Sequence, residues 1–204
     1  MRKRGYHHGN LRSALMDAAV KLIEEKGPNG FTLSEAAKLA GVTPAAVYRH
    51  FEGREDLIAG AALEGYRIFG DLMEYALGKN GSDLQAFEST GRAYLAFARK
   101  YPGHYVAMFE SGISINRSPD LAQAAKHALG QIEQAAADLT RHMPADRRPP
   151  ASMVAAHIWA MSHGVVELFA RGSPGTQSPF PAEDLLESGV GIYLRGLGLI
   201  APDA

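Results

Sequence analysis

The stretch from Thr32 to Phe51 constrains the fold most, because it sets two short helices a fixed turn apart. Thr32-Leu33-Ser34-Glu35 is a capping box, in which a hydroxyl and a carboxylate each satisfy a backbone N–H at a helix start. The helix it opens is predicted to run through Ala40. Gly41 follows, where the turn needs a left-handed backbone that glycine adopts without a Cβ clash. Thr43 is expected to cap the next helix, with Pro44 at its first position, where the missing N–H costs nothing. That helix is predicted to end near Phe51-Glu52-Gly53. Ala37 is small where crossing helices approach, and Val42, Val47 and Phe51 share an inward apolar face. Thr43, Pro44, Ala45, Tyr48 and Arg49 are left facing outward.

The remaining chain also reads as helix. Leu11, Leu15, Ala18 and Leu22 recur at helical spacing after Asn10, a helix cap, and Gly27-Pro28 stop the run. A long helix is predicted from Arg54 to Leu77, broken by residues 78–82. Others are predicted from Asp83 to Lys100, from Pro102, from Pro119 toward His142, from Ser152 to Ala170 and from Glu183 to Leu197. Residues 143–150 and 172–181, rich in Pro, Arg, Gly and Ser, read as loops. The pattern contains no strand and no repeat. The expected fold is all-α, with an N-terminal three-helix domain over residues 1–53 and a larger helical domain over 54–204.

Charge divides at the same place. Residues 1–54 carry 9 Lys and Arg against 5 Asp and Glu, and the rest carries 12 against 17. A basic head on an acidic body suggests that the head alone meets a polyanion. The chain has 0 cysteines, which excludes disulfides, cysteine zinc sites and thiol redox sensing and fits a reducing cytosol. No uninterrupted apolar run approaches the roughly 20 residues that span a bilayer, and the basic start at Met1–His8 lacks the apolar stretch of a secretory signal. A cytoplasmic protein without a membrane partner is expected.

A major groove admits one helix, entered by its N-terminal end. Small residues there let the backbone come close, while Tyr48 and Arg49 reach phosphates or base edges, with His50 and Arg54 just beyond and Thr32 on the preceding helix start. Arg2, Lys3 and Arg4 form a tail that can track the DNA backbone or enter the minor groove. Spacing alone also fits an ordinary helical hairpin with solvated charges. The longer string is more specific: Phe31-Thr32-Leu33, Ala36-Ala37, Ala40-Gly41-Val42-Thr43, Val47-Tyr48-Arg49-His50-Phe51 and Glu55-Asp56-Leu57 together resemble the N-terminal signature of the TetR family. That resemblance covers Leu11 to Leu57 and implies a two-fold homodimer that binds double-stranded operator DNA and answers to a small molecule. Where the family usually has a lysine this chain has Arg54, which keeps the charge expected to meet phosphate. Alanines at Ala45 and Ala46 limit hydrogen bonding to bases, leaving Thr43, Arg49, thymine methyl groups and DNA shape to set sequence choice.

In the body, Ile158-Trp159-Ala160-Met161-Ser162-His163-Gly164 resembles a TetR subgroup marked by a Trp and a His-Gly pair on a late helix. Trp159 and His163 lie one turn apart. With Tyr94, Phe97, Tyr105, Met108 and Phe109 they are the candidate effector-binding residues, in a pocket suited to an amphiphilic or aromatic molecule. The same aromatic spacing also describes an ordinary core. His163 and Glu167 share a face, but no third ligand lies near them, so no metal is expected. No catalytic constellation or cofactor motif is present, so the chain does not read as an enzyme. Small and apolar faces at Ala156, Ala160 and Gly164, and at Leu185, Gly189, Ile192 and Gly196, suit a four-helix dimer interface, as the resemblance implies.

The function expected from the sequence is a ligand-responsive transcriptional regulator, a repressor that a small molecule releases from its operator. An activator with the same head, and a non-specific architectural DNA binder, are the alternatives.

Overall fold

A computed structural model of the protein describes residues 11–78, 81–171 and 178–200. Among them there is no strand. The helices are α1 (Leu11–Lys26), α2 (Leu33–Leu39), α3 (Pro44–Val47), α4 (Arg54–Leu77), α5 (Asp83–Lys100), α6 (Pro102–Phe109), α7 (Pro119–Thr140), α8 (Ala151–Val165) and α9 (Ala182–Gly196). A 3₁₀ turn at Ile115–Arg117 precedes α7, and a π-helical turn at Val166–Ala170 continues α8. The all-α expectation holds, and the predicted starts of α4, α5 and α6 are met to the residue. The 3₁₀ turn was not foreseen, because a single turn leaves no periodicity to read. The Asn10 cap and most of the 172–181 loop lie outside the described residues.

The chain packs as two compact units. Among the described residues, one comprises the chain from Leu11 to Arg67 and Tyr101–Ala125; the other comprises those of Ile68–Lys100 and those from Lys126 onward. In the first, α1 packs against α6 and α2, and α2 against α3. Leu15, Ala19 and Ile23 of α1 are fully buried, as are Ala36, Ala37, Val47, Leu57 and Tyr105. Gly27 ends α1 at φ +76°, a left-handed stop that a Cβ would strain. Gly103 lets α6 come close to α1: a Cβ there would overlap the Val20 carbonyl oxygen and lie 2.8 Å from Val20 Cγ1.

In the second unit, α5, α8 and α9 pack on one another. The core holds Phe69, Phe87, Tyr94 and Phe97, with Val154, Ile158, Leu186 and Leu194. The Phe69 ring stands edge-on to Tyr94 at 5.5 Å and lies 5.2 Å from Phe97, within the range aromatic pairs favour. One described stretch, Ala151–Ala170, is long and apolar enough to cross a membrane by length and composition only. Polar residues interrupt it at Ser152, His157, Ser162, His163 and Glu167. Val154, Ile158 and Ser162 face the interior, while Met153, Leu168 and Phe169 stay exposed.

Candidate nucleic-acid interface

The predicted capping box is formed. Thr32 is extended, its Oγ1 accepts from the Glu35 N–H at 3.2 Å, and its own N–H donates to Glu35 Oε2 at 2.8 Å. Lys26 donates to the other carboxylate oxygen. That hydrogen bond, then those from Thr32, hold the Glu35 carboxyl at about 2 rather than 4.5. The Thr32 hydroxyl also donates to Glu35, so it is engaged at the helix start. Gly41 takes φ +73°, as the turn required, and its N–H and that of Val42 return to carbonyls of Lys38 and Ala37.

α3 is shorter than predicted. The N–H groups of His50 and Phe51 converge on the Val47 carbonyl, at 2.9 and 3.0 Å, and close the helix there. Thr43 has the extended backbone of a cap, but its side chain makes no capping bond, which corrects the expected role and leaves the hydroxyl outward. Val47 and Phe51 are buried, whereas Tyr48 is 62% exposed. Thr43, Pro44, Ala45, Arg49 and His50 are exposed as well. The outward face read from the sequence is thus an exposed face anchored by two buried side chains. Arg12 adds a contact from α1, its guanidinium 5.3 Å from the centre of the Phe51 ring.

Arg54 departs from expectation. Its Nη1 donates to the Asn29 carbonyl at 3.1 Å and is 3.5 Å from that of Phe31, and its Nη2 donates to Asn29 Oδ1 at 3.2 Å. A guanidinium fork so engaged ties the α1–α2 loop to the start of α4 and is not simply presented to phosphate. Nothing local to Arg54 announces this, since Asn29 lies 25 residues away along the chain. Arg117 makes a second tie to the same helix start, 3.0 Å from Glu55. Arg2, Lys3 and Arg4 lie outside the described residues.

The predicted effector residues fall in both units. In the first, Tyr105 and Met108 are buried, and the Phe109 ring lies edge-on to Tyr105 at 5.0 Å and to Tyr66 at 6.0 Å. In the second, Tyr94 and Phe97 are buried in the aromatic core, and Tyr94 Oη lies 2.9 Å from His163 Nδ1. Trp159 stands edge-on to His163, their ring centres 6.4 Å apart. None of these residues lines the groove that the structure opens between α5 and α9, which the sequence reading missed. Among the described residues no group of His, Asp and Glu is placed to hold a metal. On α8 and α9, Ala156, Ala160, Ile192 and Gly196 are exposed, and Gly164, Leu185 and Gly189 are half-buried. His157 Nδ1 and Tyr193 Oη, 3.0 Å apart, join the two helices.

A capped scaffold helix, a glycine turn and a short helix with an exposed outer face define a helix-turn-helix head. Comparison with known proteins agrees. Residues 15–61 match the model for bacterial regulatory proteins of the tetR family, and residues 87–193 match the tetracyclin repressor-like C-terminal domain. The chain belongs to the TetR family of bacterial regulatory proteins. The HTH-type transcriptional regulator YobS of Bacillus subtilis, itself uncharacterized, is 30% identical over 99 residues, which is 48% of this chain and 51% of that protein. The chain thus aligns with about half the length of that relative. A Rhodococcus protein of unknown function shares the fold at a TM-score of 0.77 and 23% identity, covering 95% of this chain and 98% of the other. AibR, solved with isovaleryl coenzyme A and operator DNA, shares it at a TM-score of 0.68 and 16% identity, covering 89% and 97%.

Proposed function

We propose that the protein is a ligand-responsive, dimeric repressor of the cytoplasm, with no enzymatic reaction of its own. Residues 1–53 read operator DNA; residues 54–204 bind the effector and the second subunit. The observation that carries the reading is the exposed face of α3 on its buried anchors, Val47 and Phe51. Thr43, Pro44 and Ala45 let the helix end approach a major groove, and Tyr48, Arg49 and His50 reach its edges and phosphates. Thr32 and Arg54 act as positioning residues, and Arg2, Lys3 and Arg4 supply backbone charge.

Exposed Met153, Leu168, Phe169 and Ile192 support the dimer. They flank Ala156, Ala160, Gly164, Gly189 and Gly196, small residues over which a second copy can pack closely. Leu185 joins that face. Such a dimer sets two α3 helices about 34–36 Å apart, one turn of DNA. Tyr94, Phe97, Trp159 and His163, with Tyr105, Met108 and Phe109, remain the proposed effector contacts. The hydrogen-bonded Tyr94–His163 pair is their polar element. The complex of AibR with an acyl-coenzyme A and operator DNA supports a head and body of this kind responding to a small molecule. Effector and operator then favour different spacings of the two heads, a coupling typically worth about 1–3 kcal/mol.

The test is fluorescence anisotropy with DNA from upstream of the protein's own gene, scrambled DNA and Tyr48→Ala protein. Tight binding to the upstream probe alone, lost in the variant, is expected. Equal affinity for both probes, falling steeply with salt, would instead make the protein an architectural binder.

A further inference from the structure

A cation from outside the helix-turn-helix motif stands beside the motif's last residue. Arg12, in the first turn of α1, is exposed, and its guanidinium lies over the Phe51 ring, 5.3 Å from the ring centre. Phe51 is buried and directly follows Tyr48, Arg49 and His50, which are all exposed. The contact thus sets a positive charge of α1 at the end of the segment that carries the outward face.

The other cations of residues 11–54 have partners or a local reason for their place. Lys21 lies 3.8 Å from Glu25, Lys26 pairs with Glu35, and Arg54 is bonded to Asn29. Lys38 sits in the last turn of α2, where a positive charge suits the negative end of the helix dipole. Arg49 belongs to the outward face itself. Arg12 has neither kind of account. Among the described residues its side chain makes no ion pair and no hydrogen bond. Its place also opposes the dipole, since the first turn of a helix favours acidic groups, and α1 carries none there. An aromatic face attracts a guanidinium without using up its N–H donors, so the charge is steadied while the donors stay available to an anion.

We infer that Arg12 is a further DNA-binding residue: it contacts a backbone phosphate beside the groove that α3 enters, with the Phe51 ring as its platform. The inference rests on the reading of α3 as the helix that meets operator DNA. A phosphate contact carries no sequence information; it fixes the register and orientation of the head on the duplex. Arginine suits the task because its planar fork matches phosphate oxygens and also lies against a ring.

The experiment is fluorescence anisotropy of the intact protein over a salt series, on the duplex from upstream of its gene and on scrambled duplex. Wild-type, Arg12→Lys and Arg12→Gln proteins are compared. Arg12→Gln should bind both duplexes about two- to fivefold more weakly for each head. The slope of log affinity against log salt should become shallower by about 0.9 for each head. Arg12→Lys keeps the charge and should keep the slope. Single methylphosphonates, each removing one phosphate charge, then locate the contact: at that position wild-type protein loses affinity and Arg12→Gln loses no more. Thermal melting followed by circular dichroism checks that both variants fold. If Arg12→Gln keeps the wild-type slope, or if every methylphosphonate weakens it as much as wild type, Arg12 merely covers Phe51 and the inference is overturned. Failure of the operator reading looks different: wild-type protein itself then binds neither duplex at low salt, which overturns the contact as well.

Discussion

Gly103→Ala probes the contact on which α6 holds α1. A Cβ at this position would overlap the Val20 carbonyl oxygen and sit 2.8 Å from Val20 Cγ1. Carbon atoms prefer about 3.5–4.0 Å, so α6 must back away from α1 by roughly 1 Å or tilt. Neither neighbour can give easily. The Val20 oxygen belongs to the backbone of a helix whose inner face is fully buried at Leu15, Ala19 and Ile23, and Gly103 itself is buried. Forcing a methyl group into a packed core typically costs about 1–3 kcal/mol, and for a chain of this size each kcal/mol moves the midpoint by about 2–4 °C. Thermal unfolding followed by circular dichroism should therefore show a loss of about 2–12 °C. Gly130→Ala in α7 is the control: a Cβ there meets nothing within 4 Å, and alanine is favoured over glycine inside a helix by up to about 1 kcal/mol. It should melt at or above wild type. If Gly103→Ala melts with wild type, the close approach of α6 to α1 is not a constraint and the argument fails.

Replacing Arg54 with leucine frees Asn29 and the Phe31 carbonyl, and urea unfolding should show a loss of about 1 kcal/mol; Arg54→Lys should restore only part of it, since a point charge cannot serve separated acceptors. Burial holds the His104 imidazole below its ordinary 6.5, with Glu64 at 3.8 Å and Asp17 offsetting part of the effect. The unfolded chain then takes up the proton first, so this group contributes nothing above about pH 6.5 and stability falls as pH drops below it, a decline that melting curves should show reduced in His104→Gln. For Glu35, held at about 2, the sign is that of a depressed carboxyl: its contribution is full above about 4.5 and disappears as pH falls through about 2, and Glu35→Gln should abolish that acid dependence in the unfolding of the head. Gly189→Glu sets a charge on the proposed dimer face, and light scattering should report a shift from dimer toward monomer; an unchanged mass would place the dimer contact elsewhere.

Features confined to one stretch of chain were legible in the sequence. The capping box at Thr32 and Glu35 and the left-handed Gly41 depend on neighbours a few residues away, and both are present as read. The starts of α4, α5 and α6 follow from breakers beside them, and they too are met. What failed depends on partners distant in the chain. Arg54 read as a free charge because nothing local shows that Asn29 and Phe31 come within its reach. Thr43 read as a capping hydroxyl because its type permits it, yet the geometry of a one-turn helix leaves the hydroxyl outside.

The effector side shows the same limit in a sharper form. Periodicity tells which face of a helix is apolar, but not whether another helix fills it or a gap remains. Tyr94, Phe97, Tyr105 and Met108 stood out as large aromatic and soft side chains, and size is what makes such residues close-packed. Leu95, Leu186 and Val190 are aliphatic residues at helical spacing, which look like any core. These side chains line a shallow groove between α5 and α9, and at Gly91 the packing is close enough that a Cβ would stand 3.2 Å from Leu186 Cδ2. Glu88, Glu183 and Glu187 reach that groove from both helices, which periodicity and net charge alone do not show.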